Sequence, residues 1–189
     1  MGFFSRFSSK NNGKEQQAAP AAEPAKQEEP VVETAPAKPT LAILAPITGT
    51  VVALEETSDP VFSGRAMGDG VAIHPTVGEV VAPVTGTIGA MFPTAHALAI
   101  ETDDGAVQVM VHIGIDTVDM KGEGFTAHVA QGDHVEVGQS LVSVDLDCVA
   151  NAGYDSTTFV VVIERGADTT LREHEGGSVS AGDEILWLS

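Results

Sequence analysis

The sequence of 189 residues is poor in several things. It has one cysteine, one tryptophan and one tyrosine. A lone thiol, Cys148, excludes an internal disulfide framework, is too little for a cysteine-based metal site, and fits a reducing compartment. Its plainest reading is a small half-buried hydrophobe. Basic residues are scarce where they would matter. Residues 41–189 hold Arg65, Lys121, Arg165 and Arg172 against 22 acidic residues, and the net charge of the whole chain is −18. Such a surface repels nucleic acid and attracts a basic partner patch. Long apolar runs are missing too, so no membrane span is expected. The opening MGFFSRFSSK has neither the apolar stretch nor the small-residue site of a secretory signal. A cytoplasmic protein is the expectation. Arg6 breaks the myristoylation pattern. Phe3, Phe4 and Phe7 do share one helical face, so residues 1–10 are a candidate for weak membrane-surface contact against the alternative of a plain unfolded tail. There is no HExxH, no His-x-His pair, no phosphate-cradling P-loop and no nucleotide fingerprint.

What the chain has is glycine, with Val, Ile and Thr in short runs, which points to an all-β protein. Residues 1–40 read as a disordered tail. Over 11–40 it becomes a linker of Ala, Pro, Glu and Gln, with prolines too dense for helix or sheet. The folded domain is expected over 41–189. Within it Ala45-Pro-Ile-Thr-Gly-Thr50 is echoed by Ala82-Pro-Val-Thr-Gly-Thr87, which predicts two related strands with a Thr-Gly turn or bulge. A second echo, Gln131-Gly-Asp133 and Ala181-Gly-Asp183, reads as a turn feeding a strand. Strands are also expected over 97–101, 107–113, 141–145, 158–164 and 184–188, and one helical turn from Cys148 to Tyr154. The architecture is a barrel or sandwich.

Of six histidines, His74, His128, His134 and His174 sit at a strand end or among glycines and charges, where a solvated side chain is the default. His96 and His112 differ. In Val109-Met-Val-His112-Ile-Gly-Ile-Asp116 alternation sends Val109, Val111, Ile113 and Ile115 to one face and Met110, His112, Gly114 and Asp116 to the other. His112 would then stand off the core, with Gly114 leaving a partner room to approach. His96 opens an apolar strand with Thr94 two residues before it. Asp103-Asp104-Gly105 reads as a hairpin turn that makes the two histidine strands neighbours. Two imidazoles on one face can bind a metal, act as acid and base, or carry a covalent group. Residue spacing leaves these open, together with two satisfied histidines in a polar patch.

Further motifs narrow the choice. Val-His112-Ile-Gly-Ile-Asp-Thr-Val118 followed by Lys121-Gly-Glu-Gly-Phe125, Asp59-Pro-Val-Phe62, Gly68-Asp-Gly70, the two Ala-Pro echoes and Thr94-Ala-His-Ala97 fall in one order over 41–189. In this the chain resembles the glucose-family enzyme IIA of the bacterial phosphoenolpyruvate:sugar phosphotransferase system. The resemblance implies an antiparallel β-sandwich, close to the barrel-sandwich architecture. It implies that His112 accepts a phosphoryl group from the phosphohistidine of HPr, that His96 is its partner, and that the group passes to a cysteine of a sugar-specific IIB domain, the permease being IIB/IIC. It also implies an apolar rim of Phe62, Phe92 and Met110 and an acidic flank of Asp59 and Asp116. Gln108 stands where the family strand is usually apolar, and Met110 replaces an aromatic common in one branch.

The chemistry suits these residues. A neutral imidazole nitrogen is an in-line nucleophile for phosphoryl transfer. Apolar surroundings favour the neutral ring, and Asp116 works the other way. Gly114 is the expected carbonyl acceptor for the non-attacking ring nitrogen, and His96, aided by Thr94, the expected donor to phosphoryl oxygens. No cofactor is needed. Two other classes stand beside this one. A zinc-dependent hydrolase on a similar β-fold would need a third protein ligand beyond His96 and His112, and incidental zinc capture by that pair is easier than hydrolysis. A biotinyl- or lipoyl-type carrier would use Met120-Lys121, but Lys121 lies in a Gly-Glu-Gly context that matches enzyme IIA. Which sugar is served is decided outside this chain.

Overall fold

The computed structural model describes residues 41–189. The expected linker and the amphipathic segment over 1–10 lie outside the described residues. In order come β1 (Leu41–Leu44), β2 (Gly49–Ala53), a 3₁₀ turn (Leu54–Glu56), α1 (Pro60–Ser63), β3 (Asp69–Pro75), β4 (Glu79–Val81), β5 (Gly86–Met91), β6 (Ala97–Thr102) and β7 (Gln108–Ile115). A 3₁₀ turn (Thr117–Met120) leads to β8 (Phe125–Ala127), β9 (His134–Val135), β10 (Ser140–Val144), α2 (Leu146–Asn151), β11 (Asp155–Glu164), β12 (Leu171–Glu173), β13 (Gly177–Val179) and β14 (Glu184–Leu188). The pairings are antiparallel. Eight strands make one sheet, ordered β13-β2-β3-β11-β7-β6-β5-β9, and β1-β14-β12 and β4-β10-β8 make two small ones. The fold is an antiparallel β-sandwich. The five strands expected outside the echoes all form, Glu184–Leu188 with the expected ends and the others with ends that differ by at most three residues. The helical turn starts before Cys148, because Asp145 caps it by accepting from the Cys148 N–H at 2.9 Å.

The echoed segments occupy equivalent places. Gly49 opens β2 and Gly86 opens β5. Their role is not the expected turn or bulge. A Cβ on Gly49 would lie 2.2 Å from the His74 carbonyl oxygen, and one on Gly86 2.1 Å from that of Glu101, so glycine permits close strand approach. Ala45 donates to the Asp183 carbonyl and accepts from Gly182 N–H; Ala82 does the same with Gln139 and Gly138. Thr48 Oγ1 accepts from Ala181 N–H and Thr85 Oγ1 from Val137 N–H. The strand order of the large sheet is correspondingly palindromic in kind, with a pseudo-twofold between β7 and β11 at the facing pair Val111 and Val160.

The main core lies between the large sheet and the two small ones. Val109, Val111 and Ile113 of β7 and Val160 and Val162 of β11 meet Ile43, Leu141, Val142 and Leu186 there. Each such side chain fully buried contributes about 1.5–3 kcal/mol, so a one-residue slip of β7 is strongly disfavoured. The opposite face of the large sheet is not bare. Leu54 and Phe62, from the β2–β3 connection, pack there on Ala72, Met110, Phe159 and Val161. Ile115, expected with the core residues, joins this second cluster instead. Gly114 at φ +80° and a register shift between Asp155 and Thr158 break the alternation just before it.

Candidate functional site: a histidine pair under an aromatic cover

Strand register sets the site. Ala97 of β6 faces His112 of β7, and the Ile113 N–H donates to the His96 carbonyl at 2.7 Å. The two rings therefore meet across the hairpin, with centroids 5.0 Å apart and planes at 87°. His96 is 3% exposed. Residues 93–95 are not extended. They form a turn with Ala95 at φ +55°, and this turn brings Thr94 Oγ1 to 2.5 Å from His96 Nδ1. Gly122 of the Lys121-Gly-Glu-Gly segment backs that turn, since a Cβ there would sit 3.7 Å from Thr94 Cα.

Phe62 lies over His112 with ring centroids 5.2 Å apart, and stacks on Phe159 at 3.9 Å. Phe92 meets the edge of His96 at 5.3 Å. The three residues expected as an apolar rim thus divide. Phe92 is exposed, whereas Phe62 and Met110 are buried, one as the cover and the other beside it in the second cluster. Phe159 completes the aromatic wall at 6.2 Å from His112. It was not singled out from the sequence, although β11 alternation places it on this face. Val61 and Val118 add exposed apolar surface close in sequence to Phe62 and Asp116.

Burial dominates the electrostatics. Desolvation, then the neighbouring His96, push the His112 pKa down to about 4, against the Gly114 backbone, Asp59 and Asp116, which raise it. Burial lowers that of His96 as well. The two acids act on His112 by charge. Asp59 also caps α1, its Oδ1 accepting from Val61 N–H at 2.7 Å and Phe62 N–H at 3.3 Å. His112 Nδ1 is buried, and the Gly114 backbone acts on the ring as a hydrogen-bond partner whose geometry falls short of a full bond. Gly114 does not give a partner room, as expected. A Cβ at that position would fall 2.3 Å from Thr117 Cγ2, so Thr117 fills the space. Thr117 is fully buried, and its hydroxyl donates to the Ile113 carbonyl. Gln108 is half-buried at the start of β7, facing Glu164 and Glu101.

One cavity of about 600 Å³ is lined by residues that include Leu41, Val84, Val107 and Leu188, and by neither histidine. Among the described residues no group of three or more His, Cys, Asp and Glu side chains is arranged to hold a metal ion. No helix among them is long and apolar enough to cross a membrane.

An antiparallel β-sandwich bearing two facing, largely buried histidines under an aromatic cover defines the class as a β-sandwich with a paired-histidine site. Comparison with known proteins carries this further. The family described as "phosphoenolpyruvate-dependent sugar phosphotransferase system, EIIA 1" matches residues 41–168. The chain is 46% identical over 144 residues to the PTS system glucose-specific EIIA component of Halalkalibacterium halodurans, covering 76% of this chain and 83% of that one. It is 46% identical over 133 residues to the PTS system glucose-specific EIICBA component of Streptococcus pneumoniae, covering 70% of this chain and 18% of the relative. The solved structure of glucose permease IIA from Mycoplasma capricolum superposes with a TM-score of 0.72 at 39% identity, covering 77% of this chain and 94% of that one. The chain belongs to the EIIA 1 family of the phosphoenolpyruvate-dependent sugar phosphotransferase system, and its role is that of a phosphocarrier in sugar uptake. The zinc-hydrolase and biotinyl- or lipoyl-carrier readings are not favoured by these relatives.

Proposed function

We propose that this chain is a cytoplasmic glucose-family phosphocarrier that takes its phosphoryl group on His112 Nε2 from phospho-HPr and gives it to the cysteine of a IIB domain. The observation that carries the reading is the facing pair of His96 and His112 with His112 Nδ1 turned inward. The neutral Nε2 lone pair forms the new N–P bond in line, while the P–N bond to the donor imidazole breaks and returns its electron pair to that ring. The buried Nδ1 keeps its proton toward the Gly114 carbonyl, which fixes the tautomer. His96 accepts from the Thr94 hydroxyl at Nδ1, carries its proton on Nε2 and donates to a phosphoryl oxygen. Phe92, Val61 and Val118 supply dry contact to the partners, and Asp59 and Asp116 meet basic groups on HPr.

Among the described residues no arginine is hydrogen-bonded to either histidine, which fits a carrier. A guanidinium clamp would stabilise the phosphorylated state and slow onward transfer. Incubation with labelled phosphoenolpyruvate, enzyme I and HPr tests the reading. The expected product carries an acid-labile phosphoryl group on His112 Nε2, identified by ³¹P NMR. Equal labelling of the His112→Ala variant would overturn the assignment.

A further inference from the structure

The Phe62 cover rests on a short segment that has little apolar anchoring of its own beyond Leu54 and Phe62. Its ends are fastened by polar means. Asp59 caps the start of α1. At the other end the Arg65 N–H donates to the Phe62 carbonyl at 2.9 Å and the Ala66 N–H to that of Val61 at 3.0 Å, which is a Schellman closure. Arg65 takes its left-handed position, φ +54°. Glycine fits that conformation without strain, so the side chain standing there is held by its partners.

Those partners come from three other places in the fold. The guanidinium reaches Glu55 in the 3₁₀ turn at 2.6 Å and Asp69 at the start of β3 at 3.3 Å. It forks onto both carboxylate oxygens of Glu173 in β12, at 2.5 and 3.0 Å. Arg165, just after β11, holds the other oxygen of Asp69 at 2.7 Å. The side chains are partly shielded; those of Arg65 and Glu173 are 31% and 25% exposed. Glu173, then Glu55, raise the Arg65 pKa, and Arg165 lowers that of Asp69. A bidentate pair within a network of five charges is the kind of surface ion pairing that fixes geometry.

We propose that Arg65 is a positioning residue for the histidine pair, its ion pairs to Glu55, Asp69 and Glu173 holding the Asp59–Ser63 turn so that the Phe62 ring stays on His112. This rests on the reading of that pair as the phosphoryl site. Arg65 touches neither histidine and acts through Phe62.

The test uses the full chain and two variants. Arg65→Gly removes the ion pairs and keeps the left-handed cap; Glu173→Gln removes the forked partner and leaves Arg65 in place. Arg172→Ala, which loses a cation lying over Trp187 outside the network, is the control. His112 is titrated by NMR in the unphosphorylated protein, and phosphoryl acceptance from phospho-HPr is timed. In Arg65→Gly the His112 midpoint is expected to rise by about one pH unit as the ring is rehydrated. Acceptance is expected to slow roughly three- to tenfold, with a smaller change of both in Glu173→Gln and none in the control. A folded Arg65→Gly whose His112 titrates as in the unaltered protein overturns the proposal. If that variant does not fold, an unchanged titration in Glu173→Gln overturns it instead. Failure of the unaltered protein to accept phosphate overturns the phosphocarrier reading, and the titration still decides whether Arg65 controls the cover.

Discussion

His96 and His112 meet edge to face across the β6–β7 hairpin, their ring centroids 5.0 Å apart. One ring has its inner nitrogen at Thr94, the other has its inner nitrogen buried near Gly114. The proposed division of labour is nucleophile for His112 and donor for His96. His112→Ala is expected to take up no label from phospho-HPr. His96→Gln should still be labelled, with onward transfer to IIB slowed by about 10²-fold, the loss typical of one transition-state donor. Single-turnover kinetics of acceptance and donation separate the two effects. Unimpaired onward transfer in His96→Gln would remove the assignment of His96 as donor.

Burial of His112 makes a prediction about pH. Its folded pKa is near 4, below the ordinary histidine value of about 6.5. Between these values the unfolded chain binds the proton and the folded one does not, so stability is lost as pH falls through this window and is constant above it. The shift corresponds to roughly 2–3 kcal/mol for a ring this largely buried. Urea unfolding at pH 7.5 and pH 4.5 measures the loss, and His112→Gln is expected to reduce it. An identical pH dependence in the variant would show that the ring does not titrate this way. Phosphoryl acceptance should likewise stay flat from pH 8 to about pH 5, because the ring remains neutral.

Gly114 is held by conformation and by space together. Gly114→Ala places a methyl group 2.3 Å from Thr117 Cγ2 at φ +80°, and is expected to cost about 2–4 kcal/mol. Thr117→Ser removes that methyl, so the double variant should recover part of the loss, leaving the left-handed strain and the approach to the Asp155 carbonyl. Equilibrium unfolding of the four proteins gives the coupling. Strict additivity would count against the contact.

The echoed glycines should behave alike. Gly49→Ala and Gly86→Ala each drive a methyl group onto a carbonyl oxygen of the neighbouring strand, and each is expected to cost about 2–3 kcal/mol. Gly132→Ala meets nothing within 4 Å and carries a left-handed backbone cost of about 1 kcal/mol. Thermal unfolding orders the three. A mild Gly49→Ala beside a severe Gly86→Ala would argue against equivalent halves.

Much of this protein is local and therefore legible in the chain. Alternation in β7 put His112 opposite Val111 and Ile113, because a strand has a period of two whatever surrounds it. The Asp103-Asp104-Gly105 turn made β6 and β7 partners, and the scarcity of cations left an acidic surface. Repetition of Ala-Pro-x-Thr-Gly-Thr marked two equivalent strands. What the chain did not disclose depends on neighbours remote in sequence. That Phe62 is a buried cover and Phe92 an exposed edge follows from the stacking of Phe62 on Phe159, almost a hundred positions away. That Gly114 makes room for Thr117 follows from a left-handed turn that alternation cannot foresee. The fork of Arg65 on Glu173 joins the first part of the domain to its last strands. The palindromic sheet order places Asp69, beside Gly70 and Val161, where the other half has His96, beside Ala97 and His112. One place received ion pairs and its mate received the histidines. Sequence determined the strands and the chemical groups they carry, because those depend on backbone period and side-chain type. Tertiary packing decided which groups lose water, the inner ring nitrogen of His112 among them.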